Sequence, residues 1–239
     1  RIKVMKRLSI IIPCYNESKN LPLLVNRCKE VANKAKNIEI IIVDNGSNDD
    51  TSLVLDELTS NLAFITRVKI EVNQGYGDGI LVGLAAAKGE ILSWTHADMQ
   101  TDLGDALKGL EFFDDECDSQ ELFIKGRRQG RPLTDVFFTA GMSIFELLLL
   151  RKFMWDINAQ PTMFHRKFFL TWDMPPTDFS LDLYAFYLAK KSKLRVKRFP
   201  VVFAERAHGV SNWNVSFISK YHFIKRTLLY SFGLQKRMR

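Results

Sequence analysis

The sequence predicts a single Rossmann-like α/β domain with a central, mainly parallel β-sheet flanked by helices. Strand-like and helix-like segments alternate through residues 1–95, which implies parallel strands joined by right-handed crossovers. Strand-like runs such as residues 38–43 are almost continuously apolar, as expected when helices cover both faces of a sheet. The 239 residues suffice for one large α/β domain with a substantial core.

The elements of the first half follow from hydrophobic spacing. Apolar residues between Leu21 and Ala35 recur at helical intervals, and Asn16 or Ser18 can cap that helix. A second helix is predicted over residues 53–58, and a third opens at Gly75, Gly77 and Gly79. The predicted strands are residues 8–12, 38–43, 68–72 and 91–94.

The second half is less regular and contains no clear domain boundary. Helices are predicted over residues 103–113, 133–150 and 181–189, and strands over 122–125, 162–165 and 196–203. No segment approaches the roughly 18 uncharged apolar residues needed to span a bilayer, because Glu146 interrupts the most apolar helical stretch. The first residues lead into a short strand rather than a signal peptide.

Basic residues are concentrated near the C-terminus. The net charge is +7, and the segment from Tyr187 onward holds 13 Lys or Arg against one acid. Apolar residues recur there at helical spacing among lysines and an arginine: Phe217, Tyr221, Ile224 and Leu228 with Lys220, Lys225 and Arg226. The pattern predicts a basic amphipathic helix over residues 213–239, following a catalytic domain over residues 1–212. Such a helix either covers the core or docks on an anionic membrane surface.

Cysteine usage favours a reducing compartment. Cys14, Cys28 and Cys117 are odd in number and lack metal-ligand spacing. Free thiols in the cytoplasm are the simple interpretation.

Polar side chains follow four predicted strands at the points where those strands end. These segments are residues 13–17, 44–51, 73–77 and 96–100. Ligands of open parallel sheets bind at the carboxyl ends of the strands, so we expect the four loops to form one site. Any one loop alone is better explained as a helix cap or turn.

The loops supply candidates for binding a nucleotide. An aromatic side chain at position 15 can pack on the base, carboxylates and amides can accept its N–H groups, and glycines allow close approach of the backbone. The candidate nucleotide-binding residues are Pro13, Tyr15, Asn16, Glu17, Asp44, Ser47, Asp49, Asn73, Gly75, Ala97 and Asp98.

A divalent metal site is predicted at the fourth loop. His96, Asp98 and Gln100 alternate along the chain, so in an extended segment they would point to the same side. An imidazole, a carboxylate and an amide oxygen can hold Mg²⁺ or Mn²⁺ that also binds a diphosphate.

Three of these segments carry a family resemblance. Residues 13–17, 43–51 and 96–100 resemble the hallmarks of family 2 glycosyltransferases with the GT-A fold, in particular the dolichol- or polyprenyl-phosphate mannose or glucose synthases. The likeness continues more weakly through residues 126–127, 156–161, 179–183 and 200–211. It implies inverting sugar transfer from a GDP- or UDP-sugar, with Mn²⁺ or Mg²⁺, to a polyprenyl phosphate or other lipid-linked acceptor. Such a step belongs to cell-envelope glycan synthesis on the cytoplasmic face of the membrane.

The resemblance also implies catalytic roles for Asp98, Asp182, Arg127 and Arg206. Arg127, Arg131 and Arg206 would bind phosphate groups, since arginine does so bidentately and stays charged. A solvated loop is the alternative for Arg127 and Arg131. Asp182 would contact the donor sugar or act as the base for a hydroxyl acceptor, whereas a phosphate acceptor needs no base.

Two positions depart from the family pattern. His96 stands where the branch has aspartate, which favours Mn²⁺ over Mg²⁺. Asn212 stands where the branch has lysine, which argues against a polyprenyl-phosphate acceptor. The alternatives are therefore a transferase acting on a soluble sugar hydroxyl, or a catalytically silent nucleotide-sugar-binding or regulatory protein.

Two other classes are disfavoured. The glycines at 75, 77 and 79 follow the third strand and lack the dinucleotide-binding spacing, which argues against an oxidoreductase. No nucleic-acid recognition motif accompanies the basic C-terminus, so we expect no nucleic-acid partner.

Overall fold

A computed structural model describes residues 7–115, 118–204, 206 and 217–238, with residues 217–223 and 238 described by their backbone only. Seven strands form one sheet: β1 Leu8–Cys14, β2 Ile38–Asn45, β3 Ile65–Ile70, β4 Ile91–Trp94, β5 Leu122–Gln129, β6 Thr162–His165 and β7 Arg195–Val202. Their order is β3-β2-β1-β4-β6-β5-β7. Only β6 runs antiparallel to its neighbours, so the predicted mainly parallel α/β sheet is confirmed.

Helices cover both faces of this sheet. They are α1 Leu21–Lys34, α2 Thr51–Thr59, α3 Tyr76–Ala86, α4 Asp105–Asp114, α5 Leu133–Leu150, α6 Arg166–Phe169, α7 Leu181–Lys191 and α8 Phe217–Met238, with a 3₁₀ turn at Ser119–Glu121. The strand period of two sends Ile10 to one hydrophobic cluster and Ile11 to the other. The central strands are continuously apolar because both faces are buried.

Two local predictions were wrong. The third strand lies at Ile65–Ile70 rather than 68–72, because Ile65 continues the register with β2 whereas Val72 is exposed. Helix α1 is not capped by Asn16 or Ser18. Its N-cap is Asn20, without a side-chain cap, since the other two side chains bond the second loop instead.

The conclusion that no segment could span a bilayer was also wrong, although α5 does contain two charged residues, Asp135 and Glu146. Helix α5 has 18 residues, a mean hydropathy of 1.7 and only 17% of its residues buried. Its length and composition would allow it to cross a membrane. Glu146 does not interrupt the outward apolar face, because it points inward and accepts a hydrogen bond from Ser231 Oγ at 2.6 Å.

Helix α8 packs against α5. Ser231 and Leu234 are fully buried, and Gln235 Nε2 donates to Leu149 O at 2.8 Å. Ile224 and Leu228 of the predicted apolar stripe are half-buried. The side chains of Phe217, Lys220 and Tyr221, and residues 213–216, lie outside the described residues. One side of the C-terminal half of α8 therefore covers protein, although Leu229 and Phe232 of α8 are exposed, as are several apolar side chains of α5.

Candidate active site

The loops that follow β1 and β2 are joined directly. Asn16 N donates to Ser47 Oγ at 3.0 Å, and Asn48 N donates to Asn16 Oδ1 at 3.0 Å. Glu17 N donates to Thr51 Oγ1 at 2.8 Å. Asn16 has a φ of 56°, a left-handed conformation that asparagine tolerates better than most residues. These bonds fix the edges of one concave loop pair.

The loops after β3 and β4 close the same site. Asn45 Nδ2 at the end of β2 donates to Gly75 O at 2.9 Å. The Tyr76 ring stacks on the His96 ring with centroids 5.4 Å apart, and the Phe179 ring also stacks on Tyr76, with centroids 4.6 Å apart. The predicted convergence of four strand-end loops is thus observed, with the segment before α7 added to it.

The glycines after β3 serve this chain rather than opening a path to a ligand. Gly75 has a φ of 122°, and a Cβ there would lie 2.5 Å from Thr177 O. A Cβ on Gly77 would lie 2.6 Å from Asp178 O. The close approach that requires glycine is therefore made by residues 177–178, whose Thr177 O also accepts from Asp78 N.

Asp44 has an unused acceptor. Its side chain is buried, and Oδ1 accepts from Ser47 N at 3.1 Å. Oδ2 is buried without a hydrogen-bond partner. A buried carboxylate oxygen without a donor is costly, so an N–H group of a bound base would complete it.

Replacing Asp44 with alanine is expected to weaken a nucleoside diphosphate and its nucleotide sugar alike, by about tenfold or more, since a hydrogen bond to a charged group is lost. Isothermal titration with UDP, GDP and their sugars measures this. Asp50→Ala is the matched control, because Asp50 is exposed on the same loop and forms no side-chain cap. Unaltered diphosphate affinity in Asp44→Ala would remove Asp44 from the site.

The other nucleotide candidates line or organise these loops. Asp49 accepts from Ser18 Oγ at 2.7 Å and Thr51 N at 3.0 Å. Burial raises the pKa of Asp49, but these hydrogen bonds outweigh burial and hold the pKa below its usual value. Asn73 Oδ1 accepts from Gly75 N. Tyr15 is 41% exposed and available to a base. Pro13 is half-buried and Ala97 buried, and neither side chain offers a polar atom.

The predicted metal ligands do not lie on an extended segment. Met99 has a φ of 61°, and residues 97–100 form a bend. The strand-like alternation is therefore wrong. Asp98 and Gln100 nevertheless face one cation, because Arg206 Nη2 lies 2.9 Å from Asp98 Oδ2 and Arg206 Nε donates to Gln100 Oε1 at 3.1 Å.

His96 is held beside this pair by the Tyr76 ring. Burial is the main cause that lowers the pKa of His96, which keeps the imidazole neutral and able to bind a metal. In the described part of the chain, no group of three or more His, Cys, Asp or Glu side chains could hold a metal. A metal there would depend on Gln100 and on a ligand that brings its own oxygens.

Asp182 lies in a buried ion pair that the sequence did not predict. Lys125 Nζ is 3.0 Å from Asp182 Oδ1 and donates to Thr162 Oγ1 at 2.6 Å. Gln160 Nε2 donates to the same Oδ1 at 2.9 Å. The side chains of Lys125 and Asp182 are 0% and 2% exposed. The available signal was a lysine inside the apolar strand of residues 122–125.

Three arginines converge on Asp156. Arg128 donates from Nε to Asp156 Oδ1 at 2.9 Å and from its backbone N to Oδ2 at 3.0 Å. Arg131 Nη2 and Arg198 Nη2 lie 3.4 and 3.9 Å from the carboxylate. The Arg131 side chain is 5% exposed, so it is not solvated as the alternative reading assumed. Arg127, by contrast, is exposed near the carboxyl end of β5.

The sequence is similar to a family of known proteins. The family model described as Glycosyl transferase family 2 matches residues 9–169. The undecaprenyl-phosphate 4-deoxy-4-formamido-L-arabinose transferase of Pectobacterium atrosepticum is 37% identical over 98 residues, covering 40% of this chain and 30% of that protein. The Klebsiella pneumoniae enzyme of that name is 25% identical over 215 residues, covering 88% of this chain and 63% of that protein. The chain thus spans less than two thirds of these curated relatives.

Solved structures share the fold. A Pyrobaculum calidifontis mannosyltransferase in complex with GDP-Man and Mn²⁺ superposes with a TM-score of 0.70 at 18% identity, over 98% of this chain and 65% of that one. The Mycobacterium tuberculosis glucosyl-3-phosphoglycerate synthase with Mn²⁺, UDP and glucosyl-3-phosphoglycerate superposes with a TM-score of 0.68 at 16% identity, over 95% and 80%. The GT-A fold is therefore confirmed, and structural neighbours of this fold contain Mn²⁺.

Proposed function

The chain belongs to glycosyl transferase family 2, and from this premise we propose that it transfers a sugar from a GDP- or UDP-sugar to a phosphate group on a lipid, with inversion at the anomeric carbon. The observation that carries the proposal is the burial of Asp182 in an ion pair. The donor would lie across the four joined loops, with its base at Asp44 and its diphosphate between Asp98 and the arginines.

The state of Asp182 bears on the acceptor. A hydroxyl acceptor needs a base to take its proton, whereas a phosphate is already an anion. The Asp182 carboxylate is already paired with the Lys125 ammonium in a fully buried position, and it also accepts a hydrogen bond from Gln160 Nε2. Asp182 is therefore better suited to orient a donor sugar than to accept a proton. The names of the relatives, which specify undecaprenyl phosphate, agree with a phosphate acceptor.

Arginine side chains near the site can bind the phosphate group of the acceptor. Arg127 is exposed at the edge where the loops meet. The cluster formed by Arg128, Arg131, Arg198 and Asp156 carries three positive charges and one negative charge, so an anion nearby is electrostatically favoured. Asn212, which departs from the family pattern, lies outside the described residues.

The ligand set fits a divalent ion. Two side-chain oxygens, Asp98 Oδ2 and Gln100 Oε1, already converge on the guanidinium of Arg206, and His96 is a neutral imidazole beside them. These three residues would hold Mn²⁺ or Mg²⁺. A bound ion would stabilise negative charge on the departing diphosphate. Arg206 would bind oxygens of the same diphosphate.

A membrane surface would present the acceptor. Helix α5 exposes a stripe of apolar side chains, Leu133, Phe137, Ile144 and Leu148, which are 58–86% exposed. Exposed cations lie at Arg151, directly after α5, and on α8 at Lys225, Lys236 and Arg237. A large exposed apolar patch edged with basic residues is suited to an anionic lipid surface. We place the chain on the cytoplasmic face of the membrane as a peripheral protein, with α5 rather than α8 making the principal contact.

The test is sugar transfer on vesicles. With Mn²⁺, UDP- and GDP-sugars are offered with acidic vesicles that contain or lack polyprenyl phosphate. We expect labelled lipid only with polyprenyl phosphate. Phe137→Glu should reduce that transfer about tenfold, because a charge enters the lipid-facing surface, while binding of UDP or GDP is unchanged. Leu170→Glu is the control, since Leu170 is 72% exposed outside α5.

Three results would contradict the proposal. Transfer to a soluble hydroxyl acceptor in preference to polyprenyl phosphate would favour the other transferase class. Binding of nucleotide sugar without any turnover would indicate a silent binding protein. Equal losses in Phe137→Glu and Leu170→Glu would remove α5 as the membrane contact.

A further inference from the structure

We propose that Arg206 is the resident cation of the Asp98–Gln100 site and that a divalent ion must displace it. This inference rests on the proposed function, because it concerns how the metal and the nucleotide sugar enter the same site. It predicts that Arg206 opposes binding of free metal and supports binding of the diphosphate.

The geometry places the guanidinium where a metal would find its oxygens. Arg206 Nη2 contacts Asp98 Oδ2 at 2.9 Å, and Arg206 Nε donates to Gln100 Oε1 at 3.1 Å. One planar cation therefore uses an oxygen from each of two proposed metal ligands. The Asp98 side chain is 7% exposed and that of Arg206 is 27% exposed, so the contact is largely shielded from water.

The backbone holds Arg206 at this position. Ala204 N donates to Gln100 O at 2.8 Å, and Gln100 Nε2 donates back to Ala204 O at 3.2 Å. Phe203 N donates to Gln129 O at 3.2 Å. The chain leaving β7 is thus bonded to the fourth loop two residues before Arg206. The hydrogen bonds between the end of β7 and Gln100 therefore keep Arg206 close to Asp98 and Gln100.

The charge of the site favours binding of either Arg206 or a divalent ion, but not both. Asp98 supplies one negative charge, Gln100 supplies none, and an imidazole at position 96 adds none where an aspartate would have added a second. Arg206 therefore neutralises Asp98 by itself. Glu17 also lies near this pair: burial raises the pKa of Glu17, whereas the positive charge of Arg206 lowers it. A divalent ion bound to the same oxygens would meet Arg206 at contact distance, where like charges repel strongly.

A diphosphate would resolve this competition. Its oxygens can bind the metal on one side and the guanidinium on the other, because arginine binds phosphate oxygens bidentately. Arg206 would then move from Asp98 and Gln100 to the diphosphate as the metal takes its place. Metal and nucleotide would bind with strong positive coupling, and free metal would bind weakly.

The experiment titrates Mn²⁺ into the full chain and follows free Mn²⁺ by electron paramagnetic resonance, with and without UDP or GDP. Without nucleotide, Arg206→Ala should bind Mn²⁺ at least about fivefold more tightly than the wild type, the lower range for coupled sites. With Mn²⁺ present, the same variant should bind UDP or GDP more weakly. Arg206→Lys should have affinities for Mn²⁺ and for UDP or GDP between those of the wild type and Arg206→Ala, because an ammonium cannot bridge two oxygens as a guanidinium does.

A second variant separates the possible failures. Asp98→Asn in the Arg206→Ala background should abolish the tighter Mn²⁺ binding and so locate it. Equal or weaker Mn²⁺ binding by Arg206→Ala without nucleotide would overturn the exchange, while loss of Mn²⁺ in Asp98→Asn would leave the metal site standing. If no form of the chain binds Mn²⁺, even with UDP or GDP, the proposed metal site itself is wrong and the exchange falls with it.

Discussion

Asp98→Ala is expected to reduce metal-dependent sugar transfer by about 10³-fold, the upper end of the range for removing one electrostatic element from an active site. Asp98 is the one charged group among the proposed metal ligands, and it is also the partner of Arg206 at 2.9 Å. Its removal leaves the diphosphate without a metal and frees Arg206 from its position. Steady-state transfer and Mn²⁺ binding, measured on the same preparations, check the expectation.

Asp102→Ala is the matched control for this loss. Asp102 is an acid only four residues further along, but it accepts from Arg27 Nε and Nη2 at 2.8 Å on helix α1. Its side chain is 49% exposed, so losing the pair costs at most about 1 kcal/mol and should leave transfer nearly unchanged. Full turnover in Asp98→Ala, or an equal loss in Asp102→Ala, would show that Asp98 does not hold the metal.

The fold was predictable because its signals are local. Runs of apolar residues predict buried strands such as β2, and the polar residues that follow these strands indicate the ligand-binding edge of the sheet. The antiparallel placement of β6 between β4 and β5 has no local signal, since the same four residues would form a strand in either direction. Helix α5 has the bounds that its spacing predicts, but its capacity to span a membrane was not predicted, because Glu146 reads as an interruption in sequence although it faces inward.

The contacts within the candidate site were not predictable from the sequence. Asp98 and Gln100 were identified, but from an alternation that Met99 breaks with its φ of 61°. Their shared partner, Arg206, lies more than 100 residues away in sequence. Lys125 and Asp182 are likewise brought together by the packing of β5 against α7. Pairs of this kind depend on tertiary structure, which a single sequence does not reveal.

Lys125→Met is expected to lower the free energy of unfolding by about 3–5 kcal/mol, the cost of leaving one member of a buried ion pair alone. Asp182 would keep Gln160 Nε2 and Thr162 Oγ1 as donors but lose its only cation within 4 Å among the residues the structure describes. Urea denaturation followed by circular dichroism measures the change.

The Lys125→Met and Asp182→Asn double variant separates stability from catalysis. With both charges removed, the free energy of unfolding should return to within about 1–2 kcal/mol of the wild type, because a neutral pair carries no desolvation penalty. Sugar transfer should be lost, because the proposed function places the anionic carboxylate of Asp182 at the donor sugar. Recovery of transfer together with stability would show that the pair is structural and that Asp182 has no part in catalysis.

The pH dependence gives this pair its own signature. Burial lowers the pKa of Lys125 from 10.5 to about 8, against the opposing attraction of Asp182. Above about pH 8 the folded chain therefore loses the positive charge of Lys125, whereas the unfolded chain keeps it up to about pH 10.5. Transfer should fall over the same range, because a neutral Lys125 no longer holds Asp182. A rate of transfer that stays constant from pH 8 to 10.5 would show that Lys125 does not lose its charge in this range.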